Sequence, residues 1–404
     1  MEKIISAAQA RDMILELVSP AGAETLPLAE SVGRVLAEDM RAVLSMPPFD
    51  CSPYDGFALR GEDTVGAAPE KPIVLKITEE IPAGKSARYE VSEGFAAKIL
   101  TGAPIPAGAN AIVKYELTKY SDTQVEISTP VAPNSDVVPA GKDIKAGSLL
   151  AETGDTLTAP LIAMAAAQGF AALKVYRKPA VTILNTGTEL QELGTALEEA
   201  KIYNSNAYMI AAYLSLKGAD PFIGGIAADD PAVITARIRQ LLERSDMVIT
   251  TGGASGGDYD WALRAAELLG SRVLFRKIAM KPGGSMLAAV KDEKILLSLS
   301  GSPGAAVIGF IMAGLPCVYK LSGKKNYLPG SFLVHLAEPY DKISSVPLYI
   351  PGKLEIREGN AFFIRSKGES SGMGALLPGC DVIAEIPEGC SPMKAGDLIR
   401  VFMI

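Results

Sequence analysis

Three kinds of residue recur in the middle of the chain in a pattern suited to holding an anionic substrate: a run of glycines, a spaced pair of lysines and a set of carboxylates. Gly252-Gly253-Ala254-Ser255-Gly256-Gly257 places four glycines among six residues. Its backbone can approach a ligand closely, and successive N–H groups there can hold an oxyanion. The run matches neither Gly-x-x-x-x-Gly-Lys-Ser/Thr nor Gly-x-Gly-x-x-Gly, which argues against a P-loop and a nicotinamide site. A ligand loop is favoured over a plain turn because the run follows a predicted strand. Lys277 and Lys281 flank the end of another predicted strand, Val273 to Ile278, where two ammonium groups suit phosphate or a similar anion. Taken singly, each reads as a solvated surface lysine. Glu189 and Asp229 follow two further predicted strands, and Asp258 and Asp260 follow the strand that leads into the glycine run. Carboxylates grouped beside phosphate suit Mg2+, which takes one or two of them and keeps several waters. Asp229 reads equally well as a helix cap before Pro231. Asp50 and Asp55 read as turn formers as well as site residues.

Scarcity narrows the chemistry further. The 404 residues contain one histidine, His335, in an alternating run that reads as an ordinary strand, so a Ser-His-Asp triad and a multi-histidine zinc site are disfavoured. The four cysteines, Cys51, Cys317, Cys380 and Cys390, form no Cys-x-x-Cys pair and suit a reducing compartment. A net charge of −7 without any lysine/arginine cluster argues against a nucleic-acid partner. Charges at Glu2, Lys3, Arg11, Asp12 and Glu16 interrupt any leader-like apolar run. The longest apolar stretch, Ala305 to Leu315, is too short to span a bilayer and is bounded by Pro303 and Pro316. The expectation is a cytoplasmic protein with no membrane partner.

The elements that would position these residues follow from periodicity. Ser6 and Gln9 form a capping box ahead of an amphipathic first helix, and a second helix is expected over Ser31 to Asp39. Short alternating runs at Ile73 to Ile77, Ala96 to Leu100, Ala111 to Tyr115 and Gln124 to Ser128 predict an all-β module. Thr158, Pro160 and Gly169 bound a further helix. From Ala180 to Tyr319 strands alternate with helices, the pattern of a mostly parallel sheet covered on both faces, whose ligands bind beyond the carboxyl ends of the strands. After Gly323 the alternation returns. The expected architecture is multi-domain, α/β plus β. It has a helical linker domain (1–43 and 148–178), an inserted β module (44–147), a central αβα domain (179–322) and a C-terminal β-barrel-like domain (323–404).

Several segments together resemble the molybdopterin molybdenumtransferase family, which includes MoeA and the E domain of gephyrin. They are Leu26-Pro27-Leu28 through Gly33-Arg34-Val35-Leu36-Ala37-Glu38-Asp39, then Phe49-Asp50-x-Ser52-x-x-Asp55-Gly56-Phe57-Ala58 and Ile99-Leu100-Thr101-Gly102-Ala103-Pro104. Further along come Gly141-Lys142-Asp143-Ile144, Thr186-Gly187-Thr188-Glu189-Leu190, Asp229-Asp230-Pro231, Thr251-Gly252-Gly253 to Asp260, and Lys277-x-x-x-Lys281-Pro282-Gly283. The segments keep the family's order from about residue 20 to 320.

The resemblance implies an elongated homodimer of the molybdopterin-binding type. Its cleft would be shared between the α/β domain of one subunit and the β module of the other. It implies insertion of molybdate into adenylylated molybdopterin with Mg2+ and release of AMP, with the molybdopterin adenylyltransferase as a possible protein partner. Asp55, Asp143, Glu189, Asp229, Asp260, Lys277 and Lys281 fall on the family's catalytic positions, and Glu189, Asp229 and Asp260 are the implied metal ligands. Thr101, Thr186, Gly187, Gly252, Gly253, Ser255, Pro282, Gly283, Gly301, Ser302 and Pro303 are the implied substrate-binding residues.

Two loops depart from the family pattern. Lys-Pro-Gly-Lys-Pro becomes Lys281-Pro282-Gly283-Gly284-Ser285, and Leu-Pro-Gly-Asn-Pro becomes Leu299-Ser300-Gly301-Ser302-Pro303. A lost charge-assisted contact costs about 1.5–3 kcal/mol. The alternative reading is therefore a divergent molybdopterin-binding paralogue, a carrier, sensor or tungstate-handling protein with weak or no insertion. On this reasoning, restoring lysine at 284 and asparagine at 302 raises turnover.

Overall fold

The computed structural model describes residues 4–253, 261–366, 379–389 and 392–404. The chain divides into two compact units, one of Met1–Glu38, Thr153–Ile162 and Ala171–Ile404, the other of Asp39–Glu152 and Ala163–Phe170.

The first unit is organised around a six-stranded sheet. Its spatial order is Asp220–Ala227, Ala180–Thr186, Met247–Thr251, Lys294–Leu299, Leu287–Lys291 and Arg272–Arg276. The first four strands run parallel and the last two join antiparallel, so the expected parallel sheet carries an antiparallel edge. One face is covered by the first helix, Ala7–Leu15, the Ser205–Leu216 helix and the helical run from Pro303 to Leu321, through Ala10, Ile14, Ile210, Leu214, Phe310 and Val318. The Pro231–Leu242 and Trp261–Leu268 helices cover the other through Ile234, Ile238, Ala265 and Ala266. Burial on both faces explains why the central strands read as continuous apolar runs. The Ser6–Gln9 capping box is present in both directions.

Two expectations are corrected. Ser31 to Asp39 is not helical. After a 3-10 turn at Leu28–Glu30, Gly33 takes a φ of +76°, and Val35 and Leu36 form bridges with Thr156 and Val175. The neighbouring Ala23–Pro27 and Ala172–Tyr176 strands pair with each other, so tertiary pairing overrides the local helical pattern here. Pro316, in turn, does not end the apolar helix. Phe310–Gly314 is a π-helical turn in which Leu315 N–H reaches back to Phe310 O, and Pro316 follows it inside a run of 19 residues. Proline lacks the N–H of a regular α-turn, and the wider local register accommodates that lack. This is the single helix among the described residues long and apolar enough to cross a membrane, and 89% of it is buried in the core.

Beyond the sheet, Ser331–Leu336, Asn360–Arg365, Leu348–Arg357, Val382–Ile386 and Leu398–Met403 close into a barrel around Val334, Phe363, Ala384 and Val401. His335 lies in its first strand with Nδ1 2.8 Å from Gly396 O, which accounts for it structurally.

The second unit is built on another six-stranded sheet. Its order is Ala111–Lys114, Gly56–Leu59, Phe95–Ile99, Ile73–Ile81, Gln124–Ile127 and Thr118–Tyr120. Phe57, Leu59, Leu75 and Val125 pack on one side, and Ile81, Val91, Ile99 and Ile112 on the other.

Phe310 is fully buried at the π turn, within the core cluster that covers one face of the sheet. Phe310→Ala is expected to destabilise the first unit by about 3–5 kcal/mol, read as a lowered thermal midpoint with the second unit's transition unchanged.

Candidate active site

At the carboxyl ends of the parallel strands, the Ala180–Thr186 and Met247–Thr251 strands are held together by pairing of Asn185 with Thr251. The chain then leaves each strand through glycine. Gly252 and Gly253 take φ of +93° and +66°. A Cβ on Gly252 would fall 2.2 Å from Thr186 O, so only glycine permits this approach. Gly252 N–H donates to Leu299 O at 3.2 Å, which ties in the third strand exit.

The result is a cleft of about 360 Å³ lined by Thr186, Gly187, Glu189, Asp229, Gly252 and Gly253, with Trp261, Ser285, Ser300 and Gly301 completing it. Six of the residues expected from sequence therefore share one cavity, and Gly301 makes a seventh. The Glu189 carboxylate folds back over Gly187, where a Cβ would stand 2.6 Å from Oε2.

The ambiguity at Asp229 is resolved by its neighbour. Asp230 is the helix cap, its Oδ1 accepting from Ala232 N at 2.7 Å and Val233 N at 3.1 Å. Asp229 is thereby released to the cleft, where its Oδ2 accepts from Thr188 N at 3.1 Å. Among the described residues no three His, Cys, Asp or Glu side chains gather as a metal cluster. Glu189 and Asp229 make a two-carboxylate set, which is the number Mg2+ accepts from protein when phosphate oxygens and water fill its other positions. Asp258 and the remaining implied ligand, Asp260, lie outside the described residues, as does Ser255.

Beneath the cleft lies a scaffold that motif reasoning missed. Asn185 Nδ2 donates to Thr251 Oγ1 at 2.6 Å, and Asn206 Nδ2 donates to Gly301 O at 2.8 Å. The Oδ1 atoms of both asparagines are buried without a hydrogen-bond partner among the described residues. The signal was available in the sequence. Asn185 interrupts an apolar strand, and Asn206 occupies a buried position of the Ser205–Leu216 helix.

The lysine-bearing loop departs from expectation in its backbone. The predicted Val273 to Ile278 strand breaks at Lys277, which has a φ of +65°, and Ile278–Ala279 pairs instead with Ile5–Ser6. Lys277 and Lys281 are exposed, on the loop that brings Ser285 into the cleft. Neither lysine lines the cleft, nor do Pro282 and Gly283. Lys281 is further anchored by backbone bonds to Pro347 and Tyr349. Ser302 and Pro303 open the helix after the Ser300-Gly301 turn, and Ser302 makes no side-chain capping bond.

Gly284 corrects the idea that lysine could be restored there. A Cβ at this position would lie 2.5 Å from Met280 O and 2.8 Å from Ile278 O. The loop has closed around a residue without a side chain, and Gly284 O accepts from Ile278 N at 3.0 Å.

In the second unit, the segment carrying Asp50, Ser52 and Asp55 runs between two loops. Asp50 Oδ1 accepts from Ala140 N at 2.7 Å, a bracing role, and Cys51 bridges Pro104 and Val138. Asp55 Oδ1 accepts from Thr101 N and Thr101 Oγ1, both at 2.7 Å. These two bonds, with the Lys98 ammonium nearby, hold the Asp55 carboxyl below its ordinary range. It is therefore exposed, ionised and fixed in direction. Asp143 lies on the adjoining loop, where its N–H donates to Met46 O at 3.0 Å. Burial, then the charges of Asp50 and Asp143, push the Cys51 thiol up and keep it a poor nucleophile. Asp55, Thr101 and Asp143 thus adjoin one segment of this unit, while Glu189 and Asp229 share the cleft of the other.

Residues 5–169 match the model of the MoeA N-terminal region (domain I and II), and residues 182–319 match the probable molybdopterin binding domain. A molybdopterin molybdenumtransferase of Staphylococcus epidermidis is 34% identical over 93% of this chain and 90% of its own length. The chain belongs to the molybdopterin molybdenumtransferase family. A relative of the same name from Staphylococcus aureus is 32% identical over 99% of this chain and 95% of its own. A crystal structure of the MoeA protein of Pyrococcus horikoshii superposes with a TM-score of 0.84 at 29% identity, covering all of both chains. The family's fold, with its molybdopterin-binding domain and a C-terminal barrel, is the one observed.

Two substitutions separate cleft from scaffold. Asp230→Ala should cost about 0.5–2 kcal/mol of stability, whereas Asp229→Asn should leave the thermal midpoint nearly unchanged. Gly284→Lys should destabilise by about 1–3 kcal/mol through overpacking and bring no gain in oxyanion affinity, measured by unfolding and by molybdate titration.

Proposed function

We propose that this protein carries out the metal-insertion step of molybdenum cofactor assembly. It takes adenylylated molybdopterin and molybdate as substrates, and the phosphoanhydride is cleaved with release of AMP. The observation that carries the reading is the cleft in which Glu189 and Asp229 face the Gly252-Gly253 turn. Paired carboxylates opposite a glycine backbone suit a phosphate-bearing substrate held with a divalent cation.

The residues divide the work in a physically simple way. Glu189 and Asp229 would hold Mg2+, whose charge would offset that of the phosphate oxygens. The Gly252-Gly253 turn admits the substrate to van der Waals distance, with the buried asparagines keeping the strand exits from moving apart. Lys277 and Lys281, on the exposed loop beside Ser285, supply positive charge toward molybdate and phosphate. Asp55, aimed by Thr101 and ionised throughout the neutral range, positions the attacking water or the incoming metal oxyanion, with Asp143 on a loop packed near Cys51 of the same segment. Family resemblance supports a homodimer in which the Asp55 face of one protomer completes the cleft of its partner. The same resemblance supports delivery of substrate by the adenylyltransferase in the cytoplasm.

A second reading is favoured by one observation, the closed backbone at Gly284, which denies the loop its further cation. On that reading the protein binds molybdopterin with little insertion, or handles tungstate.

The deciding experiment follows AMP release from adenylylated molybdopterin with Mg2+, with molybdate, tungstate or neither. Molybdate-dependent release, lost in Asp229→Asn by at least about tenfold, is the expected result. Tight substrate binding without release under either oxyanion would overturn the transferase reading in favour of the second.

A further inference from the structure

A second cleft, of about 610 Å³, opens in the first unit at the amino ends of the parallel strands. Lys178 stands two residues before the Ala180–Thr186 strand, and Lys217 lies between the Ser205–Leu216 helix and the Asp220–Ala227 strand. Both line this cleft together with Arg34 and Lys324. The seven-residue Ala180–Thr186 strand separates it from the carboxyl-edge site, a distance of roughly 20 Å at 3.3 Å per residue.

Three of the four cations lining this cleft, Lys178, Lys217 and Lys324, make no ion pair among the described residues although the chain as a whole carries −7. Nearby cations are matched elsewhere in the same unit. Arg34 pairs with Glu24, Arg177 with Asp246 and Lys325 with Asp155, while the Lys320 ammonium donates to Leu15 O at 2.7 Å. The ammonium groups of Lys178, Lys217 and Lys324 meet no carboxylate or carbonyl among the described residues. Glu30 is the one carboxylate lining the cleft. Lys324 is half-buried against the Tyr319 ring, 4.0 Å from its centroid. Burial, and then the charge of Lys217, pull its pKa down, so the fold holds two like charges against each other.

Lysines near helix C-termini often serve the helix dipole, and Lys217 is such a C-cap residue. That role needs the ammonium near the terminal carbonyls, as Lys320 shows, and it does not explain three lysines facing one cavity. Val32 and Leu216, 60% and 81% exposed, add apolar wall.

We propose that this cleft binds a condensed phosphate, either free pyrophosphate or the polyphosphate of a nucleotide. One phosphate group carries about −1.5 to −2 at neutral pH, too little for three separate ammonium groups. Two linked phosphates match them, and a cavity of this size falls within the range for small-molecule sites. A nucleotide would set its base against Val32 and Leu216.

The test is calorimetric titration of the full-length protein with pyrophosphate and, in a second arm, with ATP, both without metal. Three proteins are compared: wild type, Lys217→Gln/Lys324→Met, and Lys277→Gln as the reporter for the lysine loop beside the carboxyl-edge cleft. Binding to wild type and Lys277→Gln, weakened at least about tenfold in the double variant, is the expected result. Tighter ATP identifies the nucleotide as the source, and equal affinity identifies free pyrophosphate. Should the double variant prove less stable, Lys178→Gln, an exposed substitution, is expected to weaken binding in the same direction. Three outcomes each overturn the proposal. They are no binding of either probe at millimolar concentration, wild-type affinity in the lysine variants, and loss of binding in Lys277→Gln.

Discussion

The approach of Gly252 to the Thr186 carbonyl is the contact on which the carboxyl-edge site depends. Two neighbouring parallel strands end side by side, and the turn leaving one packs directly on the backbone leaving the other. No side chain fits between them. The cleft floor is therefore main chain, and the carboxylates of Glu189 and Asp229 stand around it rather than in it. Two buried asparagines brace this floor, Asn185 by donating to the Thr251 hydroxyl and Asn206 by donating to the Gly301 carbonyl. Among the described residues their Oδ1 atoms have no partner, a costly arrangement for a buried polar group, and a fold keeps such groups where their other half is needed.

The same logic divides labour between adjacent aspartates. Asp230 spends its carboxylate on two helix N–H groups, and Asp229 points the other way. With a single acidic residue the chain would have to choose between a stable helix start and a charged cleft. In the second unit Thr101 does for Asp55 what the asparagines do for the glycine turns, fixing direction by two hydrogen bonds to one oxygen. Fixed direction is what an electrostatic site needs, since a charge that must reorient during reaction loses much of its effect.

Much of this was legible in the residues. Alternating strands and helices from Ala180 onward announce the sheet because both of its faces are buried, and the glycine run marks where ligands approach. The capping box at Ser6 is a local signal and survived intact. What failed was decided by distant partners. Val35 and Leu36 sit in a helix-like pattern, yet strands more than a hundred residues away claim their hydrogen bonds. Pro316 reads as a stop, and only the π turn at Phe310–Gly314 just before it lets the helix continue. Lys277 reads as a strand residue, but its left-handed backbone redirects the loop. The buried asparagines went unassigned because an isolated polar residue in an apolar run carries no motif, although its burial is itself the clue.

The closed loop at Gly284 has a consequence for history as well as for chemistry. Any side chain introduced there meets the carbonyl oxygens of Met280 and Ile278. Gain of a lysine must be preceded by changes that shift those two carbonyls, and such changes bring no benefit of their own until the lysine arrives. The position behaves as a ratchet, so descendants of this chain are steered toward supplying charge from other parts of the surface.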